Sequence, residues 1–117
     1  MIRRYVLEHE GEIGERVVAG VIAVVYTNER EQVRGRVNRI QRRYLKEVIS
    51  SQHVFLEHGK SLEALLVQGP GGVLRSLTSE LAGCRGVESV SLAITTALLP
   101  ALHGSEEKEL EPIQVVR

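Results

Sequence analysis

The fold of this chain is decided by residues 52–67, QHVFLEHGKSLEALLV. Apolar and β-branched side chains on both sides of His58-Gly59 are typical of two strands joined by a tight turn. Gly59 can take the positive φ that a two-residue hairpin turn requires. Two of the four histidines in the chain, His53 and His58, lie in this hairpin. We therefore expect any ligand chemistry of the protein to be located here.

The composition indicates one small globular domain. A chain of 117 residues has room for one modest core. Fifteen acidic and fifteen basic residues balance each other, so the net charge does not indicate a polyanion binder. The single cysteine, Cys84, excludes an internal disulfide and fits a reducing cytoplasm. Because no apolar run reaches the ~20 residues of a membrane span, we expect a cytoplasmic protein without membrane contact.

A strand and a basic helix precede the hairpin. Residues 17–27, VVAGVIAVVYT, form an apolar run without alternation, which predicts a strand covered on both faces. Asn28 is a good N-cap and Glu31 stands in the capping-box position, so a helix is predicted to begin here. Its predicted buried stripe is Val33, Val37, Ile40, Tyr44 and Leu45.

The other faces of this helix carry the strongest charge concentration in the chain: Arg30, Arg34, Arg36, Arg39, Arg42, Arg43 and Lys46. Such a surface is either a solvated helix face or a surface for phosphates or an acidic partner. No aromatic residues interleave with the arginines, which argues against a base-stacking nucleic-acid platform.

The remaining elements follow the hairpin strands, which are predicted at residues 48–57 and 60–68. A glycine-rich turn at residues 69–72 lacks the Gly-Lys-Ser/Thr that a phosphate-binding loop requires. It leads into a shorter helix that ends near Ala82, where Gly83 acts as C-cap. A fourth strand is predicted at residues 89–96, with alternate apolar side chains facing inward: Val90, Leu92 and Ile94.

Three segments are expected along the chain. Residues 1–16 have the apolar spacing of an amphipathic helix, residues 17–100 form the main domain, and residues 101–117 form an acidic tail that we expect to be flexible. The order β-α-β-β-α-β predicts an α+β, ferredoxin-like fold with two helices on one face of a four-stranded antiparallel sheet.

The predicted fold leaves one sheet face bare. Because the first and third strands are apolar on both faces, we expect that face to pack against another subunit in a dimer or tetramer. We expect one of Val24 and Leu65 to face the partner and the other to face the helices.

With these elements in place, residues 17–100 resemble the C-terminal, ACT-like regulatory domain of NikR-type, nickel-responsive transcriptional repressors. Three motifs carry the resemblance: GVIAVVY at residues 20–26, QHVFLEH at residues 52–58 followed by Leu62-Glu63, and GCRGV at residues 83–87. Residues 1–14 resemble the last helix of the ribbon-helix-helix module that precedes this domain in the family. The resemblance implies DNA binding only where a complete ribbon-helix-helix module is present, and none is seen in this sequence.

The resemblance implies a square-planar nickel site made of three histidines and one cysteine, which are shared across a tetramer interface. His53 matches the first hairpin histidine, whereas Phe55 stands at the second and Ser61 stands at the cysteine. Arg42 stands at the helix-end histidine of the neighbouring subunit, and His58 matches a position in the loop beside the site. One of four ligands survives, so His53 is the only metal-ligand candidate and nickel is not the cofactor we expect. An arginine suits a carboxylate or phosphate, and we expect a small anionic ligand near His53 and Arg42.

Each candidate residue also has a plainer interpretation. His53 can serve as a hydrogen-bonded histidine at an interface, His58 as a solvent-exposed turn residue, and Cys84 as a small packed residue. The spacing suggests no nucleophile–base pair, so we do not expect an enzyme. Three functions stay open: a NikR-like regulatory and tetramerisation domain with a degenerate nickel site, an ACT-like module for a small anion, and a purely structural oligomerisation domain.

Overall fold

A computed structural model describes residues 14–100 of the chain. Its six elements are β1 (Val17–Thr27), α1 (Glu31–Arg42), β2 (Val48–Leu56), β3 (Lys60–Pro70), α2 (Gly71–Ala82) and β4 (Val87–Thr95). This order confirms the predicted ferredoxin-like α+β fold. Residues 1–13 of the predicted first helix and the predicted tail lie outside the described residues, and residues 14–16 form a bend.

The sheet has the strand order β2-β3-β1-β4, and every neighbouring pair is antiparallel. The central strand β1 places Ile22 opposite Leu65 of β3 on one side and opposite Leu92 of β4 on the other. All three side chains are buried and pack with residues of α1 and α2 into one core. Both helices therefore cover the same face of the sheet, as the sequence predicted.

The register corrects the expectation for Val24 and Leu65. Val24 lies opposite Glu63, two residues from Leu65 along β3, so both side chains point to the helices, and both are fully buried. The bare face instead carries Val21 and Leu66, which lie opposite each other and are 42% and 43% exposed. Because successive side chains of a strand point to opposite faces of the sheet, a shift of one residue moves a side chain from one face to the other.

The start of α1 also differs from the prediction. The helix begins at Glu31, and its N-cap residue is Arg30, which makes no side-chain capping hydrogen bond. The side chain of Asn28, the predicted cap, instead donates to the carbonyl of Lys60 and to Ser61 Oγ, each at 3.0 Å. At its other end α1 stops at Arg42, and Leu45 in the following turns is 73% exposed instead of buried.

Two connections differ in detail. Leu56 pairs with Lys60, so the hairpin connection has three residues and not two, and both His58 (φ 66°) and Gly59 (φ 69°) adopt positive φ. The predicted turn at residues 69–72 is absent because β3 continues to Pro70 and α2 begins at Gly71. None of the helices found between residues 14 and 100 is long and apolar enough to cross a bilayer.

Candidate functional site

A cavity of about 580 Å³ lies between α1 and the hairpin strands β2 and β3. It is lined by Asn28, Arg30, Glu31, Arg34, Gly35, Asn38, His53, Phe55 and Ser61. The helix supplies charged and amide side chains from one direction, and the two strands supply an imidazole, a phenyl ring and a hydroxyl group from the other. A volume of this size is in the range of small-molecule sites, roughly 300–1,000 Å³.

His53 is held in place by a hydroxyl group on the neighbouring strand. His53 Nε2 lies 2.9 Å from Ser61 Oγ, and Ser61 is fully buried. Ser61 Oγ also accepts a hydrogen bond from Asn28 Nδ2 at 3.0 Å. Ser61 Oγ and His53 Nε2 thus share one hydrogen bond, in which the donor depends on the tautomer of the imidazole. Asn28, Ser61 and His53 thus form one connected polar chain between the β1–α1 connection and the hairpin.

Two aromatic rings flank His53. The ring of Phe55 stands edge-on to the imidazole, with centroids 4.7 Å apart and an interplanar angle of 89°. Tyr26 lies on the buried side, with its centroid 6.4 Å from that of His53. Phe55 remains 73% exposed, so it offers an apolar surface at the cavity wall.

A buried carboxylate, which the sequence did not predict, lies beside the hydrogen-bonded side chains of Asn28, Ser61 and His53. The carboxylate of Glu63 is buried and accepts hydrogen bonds from Tyr26 Oη at 2.8 Å and Ser51 Oγ at 3.0 Å. Burial raises the pKa of Tyr26, and the hydrogen bond to Glu63 and the charge of that carboxylate raise it further. The sequence does contain a sign of this group. Ser51 and His53, and likewise Ser61 and Glu63, are two residues apart, which places each pair on one strand face.

The helix side of the cavity is positively charged. Arg30 and Arg34 stand about one helical turn apart, with Glu31 between them. In contrast to Arg43, which pairs with Glu80, neither arginine forms an ion pair with another residue of the described segment 14–100. The cavity lining therefore combines one carboxylate with two guanidinium groups that have no ion-pair partner among the described residues. Both arginines were predicted as part of the basic helix, but their position opposite His53 was not.

The predicted site residues separate into two groups. His53 and Ser61 come together in the cavity, as the hairpin pattern indicated. His58 lies at the hairpin tip with its side chain 86% exposed, 4.0 Å from Glu57. Arg42 is the last residue of α1, is exposed and does not line the cavity. Its expected position against the hairpin of a neighbouring subunit stays a prediction.

The residues around His53 do not fit a nickel site. Within residues 14–100 there is no group of three or more His, Cys, Asp or Glu side chains that could hold a metal ion. A phenyl ring has no donor atom, and the hydroxyl of Ser61 is a weaker metal ligand than a thiolate. Cys84 lines a different groove, together with Arg36, Arg39 and Arg85. Arg30 and Arg34 add positive charge where a cation would have to bind.

The chain is similar to known proteins in sequence and in fold. A family model described as "NikR C terminal nickel binding domain" matches residues 19–95, from the third residue of β1 to the end of β4. A "Putative nickel-responsive regulator" of Thermococcus onnurineus (strain NA1) is 32% identical over 96 residues, which cover 82% of this chain and 70% of the relative. A protein of the same description from Nitratidesulfovibrio vulgaris (strain DSM 19637 / Miyazaki F) is 33% identical, with 82% and 69% covered.

Among solved structures, an uncharacterized protein from Thermotoga maritima has a TM-score of 0.62 at 15% identity. The similarity covers 68% of this chain and 98% of that protein. At this identity the likeness concerns the fold, and it supports the ferredoxin-like arrangement described above.

Proposed function

Because the chain belongs to the family of the NikR C-terminal nickel-binding domain, we propose that it is the ligand-sensing and assembly domain of a NikR-like transcriptional regulator that no longer senses nickel. The family match and the names of the relatives support the regulator class. The two relatives described above are both named as regulators, which supports a regulatory role for this chain.

One observation carries the proposed loss of nickel sensing. The hairpin strands place Phe55 beside His53 and place Ser61 within hydrogen-bonding distance of its Nε2. A square-planar Ni(II) ion requires four strong donors such as imidazole and thiolate. At these positions His53 alone supplies one, and its Nε2 is engaged in a hydrogen bond with Ser61 Oγ.

The bare sheet face supports the assembly part of the proposal. Val17, Val21, Val54 and Leu66 lie on this face and are each at least 40% exposed. An apolar sheet face of this kind is stable in water when a second copy covers it. We propose a homodimer or homotetramer in which these faces are buried.

The test is isothermal calorimetry with Ni(II) on tag-free protein. We expect no stoichiometric binding tighter than about micromolar, which corresponds to roughly 8 kcal/mol. The matched positive control is the Phe55→His/Ser61→Cys/Arg42→His variant, which restores an imidazole, a thiolate and the expected donor from the neighbouring subunit. Nickel affinity should rise in this variant and fall again when His53→Ala is added.

One outcome of the nickel titration would contradict the proposed loss of nickel sensing. Tight, stoichiometric binding by the wild-type chain that His53→Ala abolishes would show that the site has been rebuilt from other ligands. His58 would then be the first side chain to replace, because it is the other histidine of the hairpin.

A further inference from the structure

We propose that the cavity between α1 and the hairpin binds a small monocarboxylic acid, with its carboxylate on Arg30 and Arg34 and its carbon skeleton against Phe55. The inference rests on the proposed function in one respect, namely that this part of the hairpin no longer serves nickel. It adds the chemical class of the ligand, which neither the family nor the relatives indicate.

The charge of the cavity selects an anion of low charge. Arg30 and Arg34 contribute two positive charges to the lining and Glu31 contributes one negative charge, and the buried carboxylate of Glu63 lies opposite His53 on the strand side. A singly charged carboxylate can therefore reach the arginines with less repulsion from these two carboxylates than a doubly charged phosphate. A guanidinium group also matches the planar carboxylate through two parallel hydrogen bonds.

Within residues 14–100, no carboxylate forms an ion pair with Arg30 or Arg34. Elsewhere in the described segment, Arg43 is engaged by Glu80 and Arg36 donates to the carbonyl of Arg85. A ligand carboxylate would therefore not have to displace an existing ion pair.

The polar groups on the strand side are already oriented. Both hydrogen bonds from Asn28 Nδ2 are used, one to Lys60 and one to Ser61, and Ser61 in turn holds the imidazole of His53. The site thus has fixed positions before a ligand arrives, and fixed groups lower the entropic cost of binding.

Phe55 supplies the apolar contact. Its ring is 73% exposed at the cavity wall, which is a large exposure for an aromatic side chain. Burial of the ring against the carbon skeleton of a ligand would remove apolar surface from water. The site therefore favours a carboxylic acid with an apolar or aromatic portion over a bare inorganic anion.

Benzoate is a suitable test compound because it combines a single carboxylate with an aromatic ring. We would titrate the full-length protein with benzoate at fixed ionic strength and follow backbone amide shifts by NMR. We expect saturable shifts at Asn28, Gly35 and His53. Benzamide, which has the same ring without the charge, should produce no comparable shifts, and inorganic phosphate should bind more weakly than benzoate.

Two charge-matched variants on one helix make the test specific. Arg34→Gln should weaken benzoate binding by about tenfold or more, since it removes a charge-assisted pair. Arg39→Gln removes the same charge from α1, but its side chain lines the other groove, so benzoate affinity should be unchanged. Folding of both variants is checked by their amide spectra.

Three results would overturn the proposal: no saturable benzoate binding, stronger binding of inorganic phosphate, or equal losses in Arg34→Gln and Arg39→Gln. The nickel titration on the same sample separates the two conclusions. If neither nickel nor benzoate binds, the loss of nickel sensing stands and the carboxylate site is wrong. If nickel binds tightly to the wild-type hairpin, the proposed function fails whatever benzoate does.

Discussion

Glu63 is a buried carboxylate held by two hydroxyl groups, Tyr26 at 2.8 Å and Ser51 at 3.0 Å. Such a group is stable in a protein interior only while its hydrogen bonds are kept, because removal of one partner exposes the cost of desolvation. Glu63 lies opposite His53 in the β2–β3 pair. The stability of the buried Glu63 carboxylate and the position of the candidate ligand site are therefore linked through the Glu63–His53 pair.

The first prediction concerns Tyr26→Phe. Loss of the hydroxyl should lower the free energy of unfolding at neutral pH by about 1–3 kcal/mol, because Glu63 loses a hydrogen bond in a buried environment. The pKa of Tyr26 is raised by burial above its ordinary value of 10.0. Its contribution to stability is thus fully present below the unfolded-state pKa and is lost as the pH rises from there toward the folded-state pKa.

Urea denaturation between about pH 8 and about pH 11 measures both effects, since tyrosine ionises near 10 in the unfolded chain. The wild-type chain should lose more stability over this range than Tyr26→Phe. Tyr44→Phe is the comparison. The hydrogen bond to Glu80 raises the pKa of Tyr44 to about 12, so this variant should lose the alkaline contribution of Tyr44 and retain that of Tyr26. An alkaline loss of equal size in wild type and Tyr26→Phe would contradict the assignment.

Individual site residues could be predicted only where strand pairing is local. His53 and Ser61 are eight positions apart on one hairpin, so the pattern of residues 52–67 brings them together. Asn28 was interpreted as a helix cap because its neighbours fit that role. Its actual partner, Ser61, is 33 positions away, and the preference of asparagine for caps contains no information about such a contact.

The helices and strands were predictable in kind and order because their periods are strong. Their ends were less predictable, since local propensity competes there with packing. Pro70, for example, is predicted as part of a turn, but it ends β3 and is the N-cap residue of α2, where its missing N–H breaks no helical hydrogen bond. Leu45 was placed on the helical stripe, and the helix ends before that residue is reached.

The second prediction compares alanine substitutions at two glycines that lie in different surroundings. Gly86 precedes β4 with φ of 96°, and a Cβ atom there would lie 2.5 Å from Val33 Cγ2. Gly86→Ala should therefore destabilise the fold by about 1–3 kcal/mol through backbone strain, with the contact to the core adding to it. Beyond its chain neighbours and the backbone of its own helix, no heavy atom lies within 4 Å of a Cβ added at Gly35 in α1, so Gly35→Ala should stabilise the fold by about 0.5–1 kcal/mol.

Thermal or urea unfolding of the two variants gives the comparison directly. The free energy of unfolding should fall in Gly86→Ala and rise in Gly35→Ala. Gly86 is required by its backbone conformation and by the space around it, whereas Gly35 is not. A Gly86→Ala variant as stable as the wild type would mean that the β4 entry can adopt another backbone conformation.

For the whole molecule, the sequence predicted a bare sheet face but not the residues on it. The apolar runs in β1 and β3 contain candidates for both faces, and the face of each residue depends on the register of the strands. In β1, Val21 and Val24 differ by an odd number of residues, so they lie on opposite faces. The register then pairs Val21 with Leu66 on the open side and Val24 with Glu63 under the helices.

The third prediction uses this difference. Val21→Glu places a charge on the proposed interface, where it would be buried between two sheets, so the assembly should dissociate while each subunit keeps its fold. Val24→Glu places the same charge in a position that is fully buried within one chain. An unpaired charge there costs several kcal/mol, which is comparable with the whole stability of a domain of this size, and the variant should unfold.

Light scattering gives the mass of each variant, and circular dichroism reports whether it is folded. We expect a dimer or tetramer for the wild type, a smaller folded species for Val21→Glu, and an unfolded or aggregated product for Val24→Glu. A wild-type chain that stays monomeric at micromolar concentration would rule out the proposed assembly. A Val21→Glu variant with unchanged mass would show that the subunits meet through another surface. The hairpin edge strand β2 would then be the next candidate, because no strand within residues 14–100 pairs with its outer edge.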